Sequence, residues 1–456
     1  MTTAAPLFRT ADDAPVASTR RGVCPSLSRP MQTGDGLLVR LRPASGGLAP
    51  AALKAIALAG LEFGNGILEV TARGNLQLRG LKPDTVAPLT EAVFATGIDL
   101  ATGLAVETPP LSGIDPSEVC DARPLAARIR AAVAAEEPAL RLAAKLSVVV
   151  DGGGVFNLDA IVADLRLKAV AVDGGVRFAL LLGGDAATAR PAVLVDEEQA
   201  LAAVMIILRR LSSLGTSARG KDIDYAGLGL PGLPLVLSDR PPVRIRRPAG
   251  LHELEGGLVV AGLGLAYCQA STASLVALAE KCERLGLHDV RLAPEHGLLI
   301  PGLPREAARA LLDYAAGLGF RVRPDDPANS IALCAGTAGC ASAYYDTQAL
   351  ADLVVKRAGD VLDGSFTLHL SACPKGCAHP SATLLGLAGA PLGYALVVNG
   401  SASASPQAYI AANDVASAVD RLAALVRTEK EAGESSRACL TRLGAERVAA
   451  ALRREE

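Results

Sequence analysis

The chain has 456 residues, half of them hydrophobic, a formal net charge of -2, and 3% aromatic residues with no tryptophan. This length accommodates two to four domains with sizeable cores, and the absence of a basic excess and of stacking side chains argues against a nucleic-acid partner. Glycines and a proline interrupt the most apolar stretch, 384–398, so no membrane span is expected. The first twenty residues lack the apolar core of a secretory signal, which favours the cytoplasm.

The first elements of the chain recur later in the same order. Hydrophobic periodicity predicts a strand, a helix and two paired strands at 37–41, 49–60, 67–71 and 76–81. The segment 37–81 lies without a gap over 259–303, where the same four elements are predicted. We interpret this match as an internal duplication.

The repeat continues downstream with small insertions. Residues 121–126 match 346–351, 145–147 match 369–371, and 179–184 match 395–400. Each half is therefore predicted to contain a small βαββ unit followed by a larger α/β unit. The predicted boundaries are an N-terminal arm (1–33), a first βαββ unit (34–103) and α/β unit (104–237), a linker (238–250), and a second βαββ unit (251–326) and α/β unit (327–456).

Four cysteines near the C-terminal end form two closely spaced pairs. Cys334 and Cys340 make C-x5-C, and Cys373 and Cys377 make C-x3-C. Four thiolates are the ligand set of a [4Fe-4S] cluster, and the residues between each pair are small and turn-forming. Structural zinc sites usually have a tighter C-x2-4-C turn, so zinc is the weaker interpretation, together with unrelated buried thiols. The other five cysteines are interpreted as small hydrophobic side chains.

A duplicated chain with these cysteine motifs in its second half resembles the sulfite and nitrite reductase family. The segment Thr71-Ala-Arg-Gly-Asn-Leu-Gln is similar to the family's Thr-x-Arg-x-x-x-Gln motif, whose arginine faces the tetrapyrrole. The resemblance implies an α/β (α+β) fold of two halves, each a ferredoxin-like βαββ unit followed by a larger α/β unit. It also implies a [4Fe-4S] cluster on Cys334, Cys340, Cys373 and Cys377, beside a tetrapyrrole held between the halves.

Departures from the family pattern favour one branch of it. The reductases hold their anion with two arginines and two lysines; here Arg73 and Lys145 fit that pattern, but Ser147 and Leu104 replace a lysine and an arginine. A dianion in a closed pocket needs charge compensation. The motif at 369–380 is instead very similar to that of an oxygen-dependent branch acting in cobalamin (vitamin B12) biosynthesis, in which the tetrapyrrole is the substrate.

That branch implies a specific reaction and specific partners. Its members hydroxylate precorrin-3A at C20 with O2 and close a ring-A acetate onto C1 as a γ-lactone. The resemblance also implies a mononuclear non-haem iron. No nicotinamide or flavin fingerprint is visible in the sequence, so electrons are expected from an external donor, an NADH-linked reductase or a ferredoxin.

Several charged and imidazole side chains are candidates for the reaction site. Arg73 and Arg79 alternate along one predicted strand and suit substrate carboxylates, although a solvated sheet face is the competing interpretation. Lys145 and Lys375 are further candidates for substrate binding. His369 and His379 flank the cysteine loop, where they either bind iron, relay protons or stabilise the loop.

Two alternative functions remain open on the sequence. A sulfite or nitrite reductase would carry sirohaem as a bound cofactor and turn over its anion. A non-catalytic iron-sulfur electron-transfer protein would need neither a cleft between two halves nor O2.

Overall fold

The structure, a computed structural model, describes residues 25–33, 35–44, 46–236, 243, 246–379 and 381–453. The predicted arm (1–33) and linker (238–250) fall largely outside these residues, so those boundaries stay predictions. In the described part of the chain, no helix is long and apolar enough to cross a membrane.

The elements of the first half end near residue 234. They are β1 (Met31–Thr33), β2 (Gly36–Leu41), β3 (Gly47–Leu48), α1 (Pro50–Phe63), β4 (Ile67–Val70), β5 (Leu76–Leu81), α2 (Val86–Ala95), β6 (Ala105–Glu107), α3 (Arg123–Ala134), β7 (Ser147–Asp151), β8 (Ala163–Val172), β9 (Gly175–Gly184), β10 (Arg190–Val195), α4 (Glu197–Leu214) and β11 (Leu233–Pro234).

The second half repeats this order with two differences: it has an additional short helix, and it ends in a helix where the first half ends in the short strand β11. Its elements are β12 (Gly250–Glu253), β13 (Val259–Gly264), β14 (Gln269–Ser271), α5 (Thr272–Arg284), β15 (Val290–Ala293), β16 (Gly297–Pro301), α6 (Arg305–Gly317), β17 (Ile331–Leu333), α7 (Gly336–Gly339), α8 (Thr347–Ala358), β18 (Leu368–Ser371), β19 (Thr383–Ala390), β20 (Gly393–Gly400), β21 (Ala408–Ala411), α9 (Val415–Glu429) and α10 (Ser436–Leu452).

The two ferredoxin-like sheets exchange edge strands between the halves. Their strand orders are β1-β2-β5-β4-β14 and β12-β13-β16-β15-β3. Ala270 of β14 pairs with Leu68 of β4, and Leu48 of β3 pairs with Val290 of β15. Helices α1 and α5 bury their apolar faces in one core shared by both sheets. The predicted internally duplicated fold is confirmed.

The sheets of the two larger α/β units are equivalent over five strands. The order is β6-β7-β8-β9-β10-β11 in the first unit, where β11 is a sixth strand at the edge, and β17-β18-β19-β20-β21 in the second. In the first, β6, β7 and β8 are parallel; in the second, β17, β18 and β19 are parallel. The loops after the first two of these strands therefore leave the same edge of each sheet. In the second unit, those two loops carry the four cysteines.

Because α1 and α5 share one core, we expect the stability of the protein to depend strongly on single leucines buried there. Leu53 is fully buried in that core, whereas Leu58 on the same helix is 46% exposed. We expect Leu53→Ala to lower the free energy of unfolding by about 3 kcal/mol, because it leaves a cavity, and Leu58→Ala to change it by less than about 0.5 kcal/mol. Denaturant unfolding of both variants measures this difference, and equal effects would contradict the shared core.

Candidate functional site

The four predicted ligand cysteines lie together at the carboxyl ends of β17 and β18. Cys334 follows β17, Cys340 follows α7, and Cys373 and Cys377 lie in the loop after β18. The thiols are close enough to act on one another's pKa: Cys334 is influenced by Cys373 and Cys340, and Cys373 by Cys340 and Cys377. Cys373 is buried and Cys377 is exposed, so the group opens to solvent on one side.

Backbone geometry fixes the course of the two cysteine loops. The amide of Ala372 donates to Cys334 Sγ at 3.2 Å, and the amide of Tyr344 donates to the carbonyl of Ala372 at 2.9 Å. Gly336 and Gly376 have φ values of +58° and +61°, which other residues adopt only with strain. The small residues of these loops thus let main-chain amides approach sulfur.

The donor set fits an iron-sulfur cluster. Burial raises the pKa of the Cys334 thiol to about 11 and raises the pKa of Cys373 as well, so both stay protonated until a metal replaces the protons. Amide donors to sulfur, as at Cys334, are typical surroundings of cluster thiolates. The structure describes no group of three or more His, Cys, Asp or Glu side chains close enough for a single ion. A tetrahedral zinc would need its sulfurs about 4 Å apart, whereas the ligands of a cluster bind separate irons and lie further apart.

The equivalent loops of the first half are closed by side-chain hydrogen bonds. Asp115 accepts from the amide of Val155 at 2.7 Å and so joins the two loops. Asp151 accepts from the amides of Gly153 and Leu158 at 2.9 and 2.8 Å. The buried Arg166 adds donations to the carbonyls of the second loop, at Leu158 (3.0 Å) and Ile161.

The strand register corrects the residue pairing between the halves. Val148 pairs with Leu165, and Leu368 pairs with Leu385, at the start of equivalent ladders. When the two halves are aligned by these pairs, His369 corresponds to Val149 of the first half and not to Lys145. The alignment made from the sequence is therefore shifted by four residues here. Asp115 still falls at the position of Cys340, so a carboxylate joins the loops where the second half has a ligand thiol.

Arg73 is partly exposed and is paired with other groups of the protein. It lies in the turn after β4, and its guanidinium donates to the carboxylate of Glu107 and to the carbonyl of Val162. Burial raises the pKa of Glu107, while the charges of Arg73, Arg42 and Arg40 oppose that rise. Sequence reasoning missed Glu107, which follows the position where the reductases have an arginine.

Arg79 lies on β5, and its side chain is buried. Its guanidinium donates to both oxygens of Asp35 at 3.0 and 2.9 Å, to Glu69 at 3.3 Å, and to the carbonyl of Gly339 at 2.6 Å. Gly339 precedes Cys340, so Arg79 contacts the cysteine loop. The two arginines therefore do not share one open face as expected, and a substrate contact at Arg79 stays a prediction.

The two candidate lysines lie in different places. Lys145 is exposed just before β7, and only its carbonyl accepts a bond, from Arg219 at 3.3 Å. Lys375 lies inside the second cysteine loop and donates to Ser342 Oγ of the first loop at 2.8 Å. Lys375 therefore bridges the two loops.

His369 and His379 are brought together beneath the second cysteine loop. Their ring centroids are 5.8 Å apart, and a Cβ added at Gly376 would lie 3.6 Å from His369 Cε1. Burial, with His379 nearby, lowers the pKa of His369 to about 4, so its ring is neutral. Its Nε2 is buried and finds no hydrogen-bond partner among the described residues. Two imidazoles alone do not complete a mononuclear iron site, and no third ligand joins them in the described part of the chain.

A fifth cysteine lies beside the group. Cys268, interpreted from the sequence as a small hydrophobic side chain, is close enough to Cys334, Glu69 and Arg79 for their charges to act on its pKa, which burial raises well above its usual range. Tyr267 and Cys268 both have positive φ values, +53° and +63°. Cys24 lies outside the described residues.

Comparison with known proteins agrees with this architecture. Residues 29–93 match the family described as nitrite/sulfite reductase ferredoxin-like half domain. The chain is 48% identical over 443 residues to a precorrin-3B synthase of Sinorhizobium sp, covering 97% of this chain and 96% of that protein. It is 24% identical to a ferredoxin--nitrite reductase of Synechococcus elongatus over 79% of this chain and 78% of the relative.

A solved structure supports the same fold. The NirA protein of Mycobacterium tuberculosis superposes with a TM-score of 0.73 at 19% identity, covering 91% of this chain and 85% of that one. The duplicated fold is thus that of the nitrite and sulfite reductases. Within that group, the chain belongs to the precorrin-3B synthase family.

The position of the four predicted ligand cysteines predicts how single substitutions affect the metal content of the protein. We expect Cys373→Ser to abolish assembly of an intact [4Fe-4S] cluster, because a buried hydroxyl is a poor ligand for iron. Cys120→Ala, in the first half, should retain the wild-type iron and sulfide. Iron and acid-labile sulfide, measured after anaerobic reconstitution, distinguish the two variants; full cluster content in Cys373→Ser would contradict the ligand assignment.

Proposed function

We propose that this chain is a precorrin-3B synthase that hydroxylates precorrin-3A at C20 with O2 and closes the γ-lactone. One oxygen atom of O2 enters the product and the other leaves as water, with two electrons taken from an external donor. The proposal is supported by the 48% identity to a precorrin-3B synthase over nearly the whole of both chains.

The observation that carries the proposal is the pairing of Arg73 with Glu107. A site built to hold sulfite or nitrite needs uncompensated positive charge, because a small anion loses its hydration on binding. Here the carboxylate of Glu107 already takes up the charge of Arg73. Leu104 and Ser147 supply no charge where the reductases have an arginine and a lysine. A reductase with bound sirohaem is therefore the weaker alternative.

The residues of this chain would bind and orient a polycarboxylated macrocycle. Lys145 is exposed and suits a substrate carboxylate, whereas Arg73, whose charge is balanced by Glu107, would contribute a hydrogen-bond donor from a side chain that is 35% exposed. Lys375 would bind the substrate from the loop that carries Cys373 and Cys377. A bound [4Fe-4S] cluster on the four cysteines would supply single electrons, which the reaction of O2 with a closed-shell substrate requires.

The imidazoles have a narrower role in this proposal. His369 is buried, and its pKa of about 4 keeps the ring neutral, so its Nε2 is able to form a hydrogen bond beneath the cysteine loop. His379 is the residue through which a proton would reach solvent, since it is only partly buried. The implied mononuclear iron is not assigned to these residues, because the described side chains do not complete its ligand set.

The experiment supplies the reconstituted protein with precorrin-3A, an NADH-linked reductase and ¹⁸O₂. We expect O2-dependent formation of a product that contains one ¹⁸O atom, and no product under nitrogen. The same preparation with sulfite or nitrite in place of the tetrapyrrole should show no electron consumption above background. Turnover of either anion without oxygenation of precorrin-3A would overturn the proposal in favour of the reductase.

An electron carrier without catalytic activity is tested by the same mixture. Such a protein would be reduced and reoxidised without forming any oxygenated tetrapyrrole. The labelled product and the turnover of sulfite or nitrite, measured on the same preparation, therefore separate the three functions.

A further inference from the structure

The loop that carries Cys340 is attached to the other half of the protein. The carbonyl of Gly339 accepts from Arg79 Nη2 at 2.6 Å, across 260 residues of sequence. Arg79 stands on β5 of the first ferredoxin-like sheet, whereas Gly339 ends the short helix α7 of the second half. This is a charge-assisted hydrogen bond from a buried group, which is among the stronger kinds in proteins.

Two carboxylates hold the guanidinium in place. Asp35 receives two donors of Arg79, and Glu69 receives a third. The side chains of all three are at most 10% exposed, so water does not compete with these contacts. Removing one of these three side chains leaves a buried charge without its partner, which is strongly unfavourable.

The carboxylate of Glu69 continues the network into the second half. Gln269 donates to Glu69 at 2.8 Å, and Gln348 on α8 donates to Gln269 at 2.6 Å. Helix α8 follows the first cysteine loop directly. The loop is therefore connected to the first sheet both through Gly339 and through the helix behind it.

The absence of a side chain at Gly339 leaves the space that this contact needs. A Cβ added there would lie 2.6 Å from Arg79 Nη2 and 3.1 Å from the side chain of Ala335, so no larger residue fits without moving the guanidinium. In the first half, Asp115 closes the corresponding loop from within that half. In the second half, Ser342 joins the two cysteine loops through Lys375, and the guanidinium of Arg79 adds a contact at Gly339 from the other half.

We propose that Arg79 is a positioning residue for the iron-sulfur site: together with Asp35 and Glu69 it holds the Gly339 carbonyl, and thereby Cys340, in the geometry that retains the cluster. The inference rests on the proposed cluster, and it gives Arg79 a role distinct from substrate binding. It also makes cluster retention depend on the contact between the two halves. The positive charge of Arg79 beside the loop would in addition favour the reduced, more negative state of the cluster.

The test uses two variants that leave all four thiols unchanged. Gly339→Ala displaces the guanidinium from the carbonyl, and Arg79→Gln removes its charge. Each is compared, after anaerobic reconstitution of the full chain, for the rate of cluster release to a chelator and for the midpoint potential in an EPR-monitored titration. We expect release to be about tenfold faster in both variants, the usual size of effect for an outer-shell partner of a metal ligand. Only Arg79→Gln should also show a lower midpoint potential.

Matched controls separate this role from general destabilisation. Gly317→Ala adds a methyl group at a glycine with open space around it. Arg291→Gln removes a buried arginine of the second ferredoxin-like sheet that donates to Asp289 and, at 3.4 Å, to the carbonyl of Pro110 in the first half, in a loop that carries none of the four thiols. Both controls should release the cluster at the wild-type rate and keep its potential.

The outcomes distinguish this inference from the proposed function. If the wild-type protein holds a cluster and both variants match it in release rate and potential, the positioning role is wrong and the proposed function stands. If Arg291→Gln releases the cluster as fast as Arg79→Gln, the effect is general destabilisation and the inference is overturned. If the wild-type protein assembles no cluster, the proposed function fails together with it.

Discussion

Each half of the protein has to hold two long loops together at the carboxyl ends of neighbouring parallel strands. Backbone groups in such loops have no ladder partners, so side chains, water or a ligand must satisfy them. The first half uses Asp115, Asp151 and Arg166 for this purpose. The second half has thiols at the corresponding edge, of which Cys340 stands where the first half has Asp115. The same architecture thus forms a polar closure in one copy and the proposed metal centre in the other.

The exchange of β3 and β14 makes the two halves interdependent. Each ferredoxin-like sheet is completed by a strand of the other half, and α1 and α5 share one core. Each sheet also contacts a loop of the opposite α/β unit, through Arg79 and Gly339 on one side and Arg291 and Pro110 on the other. The proposed metal centre therefore depends on contacts from both copies, although all four of its thiols belong to one.

The sequence predicted those features that depend on local pattern. The offset of 222 residues places α1 over α5, because both helices have the same apolar spacing and start at equivalent positions, Pro50 and Thr272. The spacing of the cysteines was sufficient to predict that Cys334 and Cys373 belong to one site, and the structure places them at the ends of adjacent strands. The pairing of Lys145 with His369 was wrong by four residues, since short apolar strands match in several registers and only the ladder decides among them.

Long-range partners were not visible in the sequence. Arg79 alternates with Arg73 along one segment, which suggested a common open face, but the residues that bury and pair it are Asp35, Glu69 and Gly339. Glu107 lies three residues after Leu104, and nothing in the spacing of that segment predicts its pairing with Arg73. Both cases show that the charge balance of a site depends on side chains that meet only after folding.

The central claim is that the second half carries a [4Fe-4S] cluster and that the tetrapyrrole is a substrate, not a resident cofactor. An anaerobic visible and EPR spectrum, with iron, sulfide and tetrapyrrole quantified on the same sample of purified protein, tests both parts. The account predicts a broad shoulder near roughly 400 nm that bleaches on reduction, with labile sulfide present and no bound tetrapyrrole. Sharp sirohaem bands, or the absence of labile sulfide after anaerobic reconstitution, would contradict it.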